Sequence, residues 1–212
     1  MAKPFLSEQM QMGDLDLLSI LGAATIGYFL GSIPYGLVVS HLFGLGDVRS
    51  IGSGSIGATN VLRTGNKMAA FLTMIGDGGK GSVAVLVAAS LFSWHAGLIA
   101  GFFALIGHNY PVWLGFKGGK GVATFIGVQL ALAFWPQGVL VCLTWLIGAA
   151  LSKRSSVASL SCAAIAPLLH LVFGTTPLVI LSALLAALIF IAHRANIGRI
   201  LAGTEPRIGE KK

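Results

Sequence analysis

The chain has 212 residues, 55% of them hydrophobic and only 10% charged, with a formal net charge of +7. Soluble domains carry about 25% charged residues, so this composition excludes a water-soluble fold of this length. The apolar stretches are continuous rather than alternating, which excludes a β-barrel and points to an all-α integral membrane protein forming one domain over residues 1–212.

Residues 1–14 read as a short polar tail. Glu8, Asp14 and Asp16 precede the first apolar run, where a cleaved signal peptide would carry basic residues, so no such peptide is expected. Residues 17–46 then contain no Asp, Glu, Lys or Arg, and the same holds for 81–116, 121–152 and 155–193. Each run exceeds the ~20 residues that span a hydrocarbon core. The last three runs are bounded at both ends by basic residues: Lys80 and Lys117, Lys120 and Lys153, Arg154 and Arg194. Single crossings would place these clusters on alternate sides, against the tendency of Lys and Arg to stay cytoplasmic. Each run also carries a turn signal near its middle, at 93–95, 135–138 and 173–177. Three hairpins and the first run give seven expected transmembrane helices. All but one of the Lys and Arg residues follow the first run, which puts the N-terminus outside and the C-terminus, including a tail at 200–212, in the cytoplasm. The segments 97–109 and 122–134 are short for full crossings, and a five-span arrangement with re-entrant pieces is the alternative.

Four polar segments share the cytoplasmic face in this topology. Residues 47–63 combine Gly, Ser, Asn60 and two Arg, the composition of a phosphate cradle and equally of a flexible loop. Asp77 and Lys80 are three residues apart at the start of an apolar run and can pair on one helix face. Residues 107–121 carry His108, Lys117 and Lys120 among glycines, offering ammonium and backbone N–H donors to anions, or an ordinary positive loop. His193 and Asn196 lie on one helical face at the end of the last run. Ser155 and Ser156 read as a helix N-cap, and Trp94, Trp113 and Trp135 as interfacial aromatics. Cys142 and Cys162 lack metal-ligand spacing and read as small buried residues. No metal site, cofactor or nucleic-acid partner is expected, since no ligand cluster and no aromatic-interleaved basic patch is visible.

Gly-Ser-Gly-Ser-Ile-Gly-Ala-Thr-Asn-Val-Leu-Arg (52–63), Gly-His-Asn-Tyr-Pro-Val (107–112), Phe-Lys-Gly-Gly-Lys-Gly-Val-Ala-Thr (116–124) and His-Arg-Ala-Asn-Ile-Gly-Arg (193–199) together closely resemble the PlsY-type acyl-phosphate:glycerol-3-phosphate acyltransferases. The segments occur in that family's order, between about residues 31 and 205. The resemblance implies transfer of a fatty acyl group from acyl phosphate to the 1-hydroxyl of sn-glycerol 3-phosphate, the first step of bacterial phospholipid synthesis. It implies a multi-pass protein of the bacterial inner membrane whose site faces the cytoplasm among membrane lipids. The peripheral enzyme that makes acyl phosphate becomes a candidate partner. Ser53, Arg63 and Lys120 are implied to bind phosphate groups, and His193 and Asn196 to contact the glycerol phosphate or the reacting centre. Asn60, Asp77, Lys80, His108 and Lys117 occupy the family's other motif positions in supporting roles. Two departures are Ser55, where many members have Asn, and Gly78-Gly79, where bulkier residues are usual. No nucleophile-elbow motif for a covalent acyl-enzyme is present, so direct attack is expected, with His193 or a substrate phosphate taking the hydroxyl proton.

Overall fold

The computed structural model describes residues 15–210; the expected tail at 1–14 lies outside them. Among the described residues every regular element is helical. Helix α1 (Leu17–Gly31) starts where the Asp16 carboxylate accepts the Ser19 N–H. It ends just before Pro34, which has no N–H and disfavours a helical residue in front of it. Helix α2 (Tyr35–Leu42) resumes at once. A long polar loop containing the one-turn helix α3 (Ala58–Val61) leads to α4 (Lys67–Leu91), capped by Asn66, and α5 (Trp94–Asn109), capped by Ser93. There follow α6 (Val122–Leu132), a π-type turn, α7 (Val139–Ser152), α8 (Ser155–Phe173) and α9 (Thr176–Ala192). A 65° bend at His193 separates α9 from α10 (Arg194–Leu201).

The three mid-run turn signals coincide with the α4/α5, α6/α7 and α8/α9 breaks. Five helical segments are long and apolar enough to cross a membrane: Leu17–Leu42, Lys67–Leu91, Trp94–Leu114, Phe134–Ser152 and Ser155–Phe173. The bent pair α9–α10 is a sixth candidate. The second half of the 81–116 run is thus no longer short, because its helix begins at Trp94 rather than at 97. Helix α6 remains short, at 11 residues. That is roughly 16 Å of helix against a core of about 30 Å. A larger departure concerns α4, which starts at Lys67 and not after Lys80. The spanning helix carries Asp77 and Lys80 in its middle because they neutralise each other, Lys80 Nζ donating to Asp77 Oδ1 at 2.7 Å.

Large side chains such as Leu17, Leu21, Leu86, Leu146, Leu151 and Val172 face outward, as expected of a surface solvated by lipid. The principal core lies between α4 and α9 and is built on Leu105, Phe125, Val128, Val141, Leu185 and Ile189. Where α1 meets α4 and α5, the contact is made by Ala23, Ala88, Ala96 and Ala100. Lipid is as apolar as leucine, so membrane helices gain most where small residues let backbones approach. The closest approach of one helix to another is at Gly127 of α6. A Cβ there would stand 2.0 Å from the Gly78 carbonyl oxygen of α4, so only glycine fits. Gly127→Val is expected to force α4 and α6 apart and to cost about 3 kcal/mol. Thermal unfolding in detergent, compared with Gly79→Ala where a Cβ meets nothing within 4 Å, measures this.

Candidate active site

The basic loops converge on one end of the bundle. Arg63 Nη1 donates to the Glu210 carbonyl at 2.9 Å, and Arg154 Nε to the Glu205 carbonyl at 3.0 Å. The Ile208 N–H donates to the Lys153 carbonyl at 2.8 Å, and Lys120 Nζ to Asn196 Oδ1 at 2.6 Å. The cavity enclosed there has Ser53, Asn60, Arg63, Asp77, His108, Lys120, His193 and Asn196 in its wall, bringing together most of the residues singled out from the sequence. Lys80 stands behind Asp77, off the wall, and Lys117 is exposed away from it. A second basin lies alongside and shares Ser53, Arg63, Lys120, Asn196 and Arg199 with the first.

The Gly-Ser loop is an ordered element, not a flexible linker. Asn60 is buried and staples the loop to itself, donating from Nδ2 to the Val48 carbonyl at 2.7 Å and accepting the Ser53 N–H on Oδ1 at 3.1 Å. Gly52 sits at φ +55°, and a Cβ there would meet Arg63 Cδ at 2.5 Å and Asn60 Oδ1 at 2.6 Å. Both the left-handed backbone and the lack of space require glycine. Of the two arginines of this segment, Arg49 is held by Asp47, with Nη2 to Oδ2 at 2.7 Å, and that bond holds the Asp47 carboxyl down at about 2. Only Arg63 is turned to the cavity.

The 117–121 loop corrects one expectation. The N–H groups of its two adjacent glycines are not free for an anion: Gly118 donates to the Asn109 carbonyl at 3.0 Å and Gly119 to the His108 carbonyl at 3.1 Å. The last carbonyls of α5 have no partner within the helix and take these donors. What the loop offers to the cavity is the Lys120 ammonium. Backbone donors come instead from the amino ends of α6 and α8. Val122 and Ala123 at the first, and Ser155 and Ser156 at the second, line the cavity. N–H groups in a first helical turn lack intrahelical acceptors and carry the positive end of the helix dipole. Ser155 and Ser156 are therefore not an N-cap: Arg154 holds that position with no side-chain capping bond, and the serines sit in the first turn.

Two further groups belong to the wall that sequence reasoning did not single out. The buried Glu205 carboxylate accepts from Asn196 Nδ2 at 2.6 Å and from Arg199 Nε at 2.7 Å. Burial pushes its carboxyl up, but the bonds from Asn196 and Arg199 outweigh that and hold it below the usual range. The sequence signal was an acid in a basic tail, one Gly-Thr turn past Arg199 and the end of α10. The resulting chain Lys120–Asn196–Glu205–Arg199 fixes the Asn196 amide, with its oxygen toward Lys120 and its nitrogen toward Glu205. Lys120 itself is lowered to about 8, chiefly by burial, while Glu205 raises it and Arg199 and Arg63 lower it further. Trp145, with Nε1 donating to Ser159 Oγ at 3.3 Å, closes the apolar side of the cavity together with Met74 and Ile126. Met74 is 43% exposed.

These values set a pH dependence. Lys120 is an ammonium below about pH 8 and loses its proton above it. Binding of sulfate, whose charge is constant in this range, is expected to weaken as pH rises through about 8. In Glu205→Gln, the carboxylate that raises Lys120 is gone, and the midpoint is expected to fall below 8. Calorimetric titration between pH 6 and 10 reads both; an unchanged midpoint in the variant contradicts the assignment.

The sequence profile of the glycerol-3-phosphate acyltransferases matches residues 21–203. Curated relatives named glycerol-3-phosphate acyltransferase include one from Jannaschia sp. (strain CCS1), 56% identical over 88% of this chain and 92% of its own length. Another, from Rhodospirillum rubrum, is 54% identical over 95% of this chain and 98% of its own. Two crystal structures of PlsY, an integral membrane glycerol 3-phosphate acyltransferase, superpose on the fold. Its glycerol 3-phosphate form gives a TM-score of 0.83 at 36% identity, covering 90% of this chain and 96% of that one. Its lysophosphatidic acid form gives 0.80 at 34%, covering 89% and 95%. With this profile, these relatives and this fold, the chain belongs to the PlsY-type glycerol-3-phosphate acyltransferase family.

Proposed function

We propose that the protein transfers a fatty acyl group from acyl phosphate to the 1-hydroxyl of sn-glycerol 3-phosphate, giving 1-acyl-sn-glycerol 3-phosphate and phosphate. The observation that carries this reading is the shared wall: Ser53, Arg63, Lys120, Asn196 and Arg199 border both basins. One donor set thus serves two anionic substrates side by side and offsets their repulsion. The hydroxyl oxygen attacks the acyl carbonyl carbon. The bond from that carbon to the phosphate oxygen breaks, and phosphate leaves with the electron pair. An acyl phosphate is a mixed anhydride with a good leaving group, so charge neutralisation and positioning supply most of the catalysis. Ser53, Arg63 and Lys120 hold phosphate oxygens, and Asn196 orients the reacting centre. His193 Nδ1 lies 2.8 Å from the Ile189 carbonyl, an acceptor only, so Nδ1 carries the proton and the lone pair sits on Nε2. Nε2 then takes the hydroxyl proton. As written, the reaction balances without a cofactor.

The same reading places the protein in the bacterial inner membrane as one domain with the site toward the cytoplasm. The segments α1–α2, α4, α5, α6, α7, α8 and α9 make seven crossings, α6 being a short one, and leave the N-terminus outside. Convergence of the basic loops on one end supports this. The peripheral enzyme that makes acyl phosphate would deliver the donor at that end. Purified protein given palmitoyl phosphate and labelled glycerol 3-phosphate is expected to form lysophosphatidate, and palmitoyl-CoA in its place to give none. Lys120→Ala is expected to lower kcat/KM by roughly 100-fold or more. His193→Ala is expected to lower kcat by about 100-fold. No product with wild type overturns the reading, and near-normal turnover of His193→Ala assigns the proton to a substrate phosphate instead.

A further inference from the structure

Two polar residues of the cavity wall, Asp77 and His108, come from spanning helices rather than from loops. Their contacts form a continuous line. Lys80 Nζ donates to the Ile33 carbonyl at 2.7 Å, at the break between α1 and α2, and to Asp77 Oδ1 at 2.7 Å. Asp77 Oδ1 lies 3.5 Å from His108 Nδ1. Thr124 Oγ1, at the start of α6, is 3.3 Å from the same nitrogen and donates to the Asp77 carbonyl at 2.9 Å. The threonine has one proton and spends it on that carbonyl, so toward His108 it can only accept. The proton therefore sits on Nδ1, facing Thr124 and the carboxylate, and Nε2 is bare. That bare nitrogen lies against the backbone of Gly119: a Cβ there would stand 2.2 Å from it. Gly119 is also tied to the same residue through its N–H and the His108 carbonyl at 3.1 Å. The next residue is Lys120.

We propose that His108 is a positioning residue. Its ring, held from behind by Asp77 and Thr124, is the floor on which Gly119 rests, and it thereby sets where the Lys120 ammonium stands in the cavity. Its shape and anchorage matter, not proton transfer, because its free nitrogen is covered by Gly119. The buried ion pair of α4 gains a purpose: it locks the floor against the α1/α2 break, so that the phosphate-binding loop is referenced to the membrane helices.

The substrate assignment rests on the proposed acyltransfer, and the test keeps the two apart. Full-length His108→Phe, His108→Leu and His108→Ala are compared with wild type, each checked for a cooperative thermal transition. Two measurements are made: calorimetric binding of glycerol 3-phosphate, and the split of KM and kcat in lysophosphatidate formation. Phe retains a flat ring under Gly119, Leu a smaller bulk and Ala none. The expected order of weakened binding and raised KM is Phe, then Leu, then Ala. Phe should stay within about threefold of wild type and Ala fall roughly 30- to 100-fold, the scale of an ångström's misplacement. Should Ala not fold, Phe against Leu decides. Equal binding across the series overturns the proposal. So does a folded Phe variant as weak as Ala or Leu, because that demands the imidazole nitrogens. Absence of turnover by wild type would fail the acyltransfer reading alone, since the binding series still reads the loop.

Discussion

A site that gathers several cations must first hold them together when nothing is bound. Arg63, Lys120, Arg154 and Arg199 all converge on one end of the bundle. Left to themselves they would repel in a partly desolvated space, where Coulomb energies are several times those in water. The chain solves this with a single buried carboxylate and a few carbonyls. Glu205 takes Arg199 and, through Asn196, steadies Lys120; its own carbonyl takes Arg154; the Glu210 carbonyl takes Arg63. The tail that supplies both residues lies across the mouth and is further tied to Lys153 by Ile208. Among the described residues Glu205 is the carboxylate of this network, and the Asp77 carboxylate in the wall is already neutralised by Lys80, so the site stays electropositive.

The helices serve this end by where they begin. Helix α6 and helix α8 both start at the cavity, and α6 can be brought close because Gly127 lets it touch α4. Lengthening α6 toward the cavity would carry its first turn away from the point where Gly119 and His108 meet. Its shortness is thus tied to the placement of its amino end, and the burial of Phe125 and Val128 in the main core compensates for the few turns it has.

Much of this was legible beforehand. Scarcity of charge, the basic brackets around each apolar run and the turn signals at 93–95, 135–138 and 173–177 located the helix breaks. The spacing of Asp77 and Lys80 announced their pairing. What stayed hidden depends on tertiary partners. Nothing local says that the N–H groups of Gly118 and Gly119 are consumed by the end of α5, because that carbonyl demand arises nine and eleven residues upstream and is met only once the chain folds back. Ser155 and Ser156 looked like a cap because capping chemistry and cavity-lining chemistry use the same hydroxyls. Glu205 was given no role because acids scattered in a basic tail have no pattern; its meaning comes from burial against Asn196 and Arg199.

Met74 has a consequence for how an oily molecule reaches a polar site. It belongs to the cavity wall, on the spanning helix α4, and is 43% exposed. A lipid tail sliding past it, with Ile126 and Trp145 opposite, would remain in an apolar medium from the bilayer to the reaction centre. Dissolving such a tail in water costs about 0.8 kcal/mol for each methylene, more than 10 kcal/mol for a common fatty chain. A sideways path past Met74 would remove that barrier and leave the tail to diffuse laterally in two dimensions.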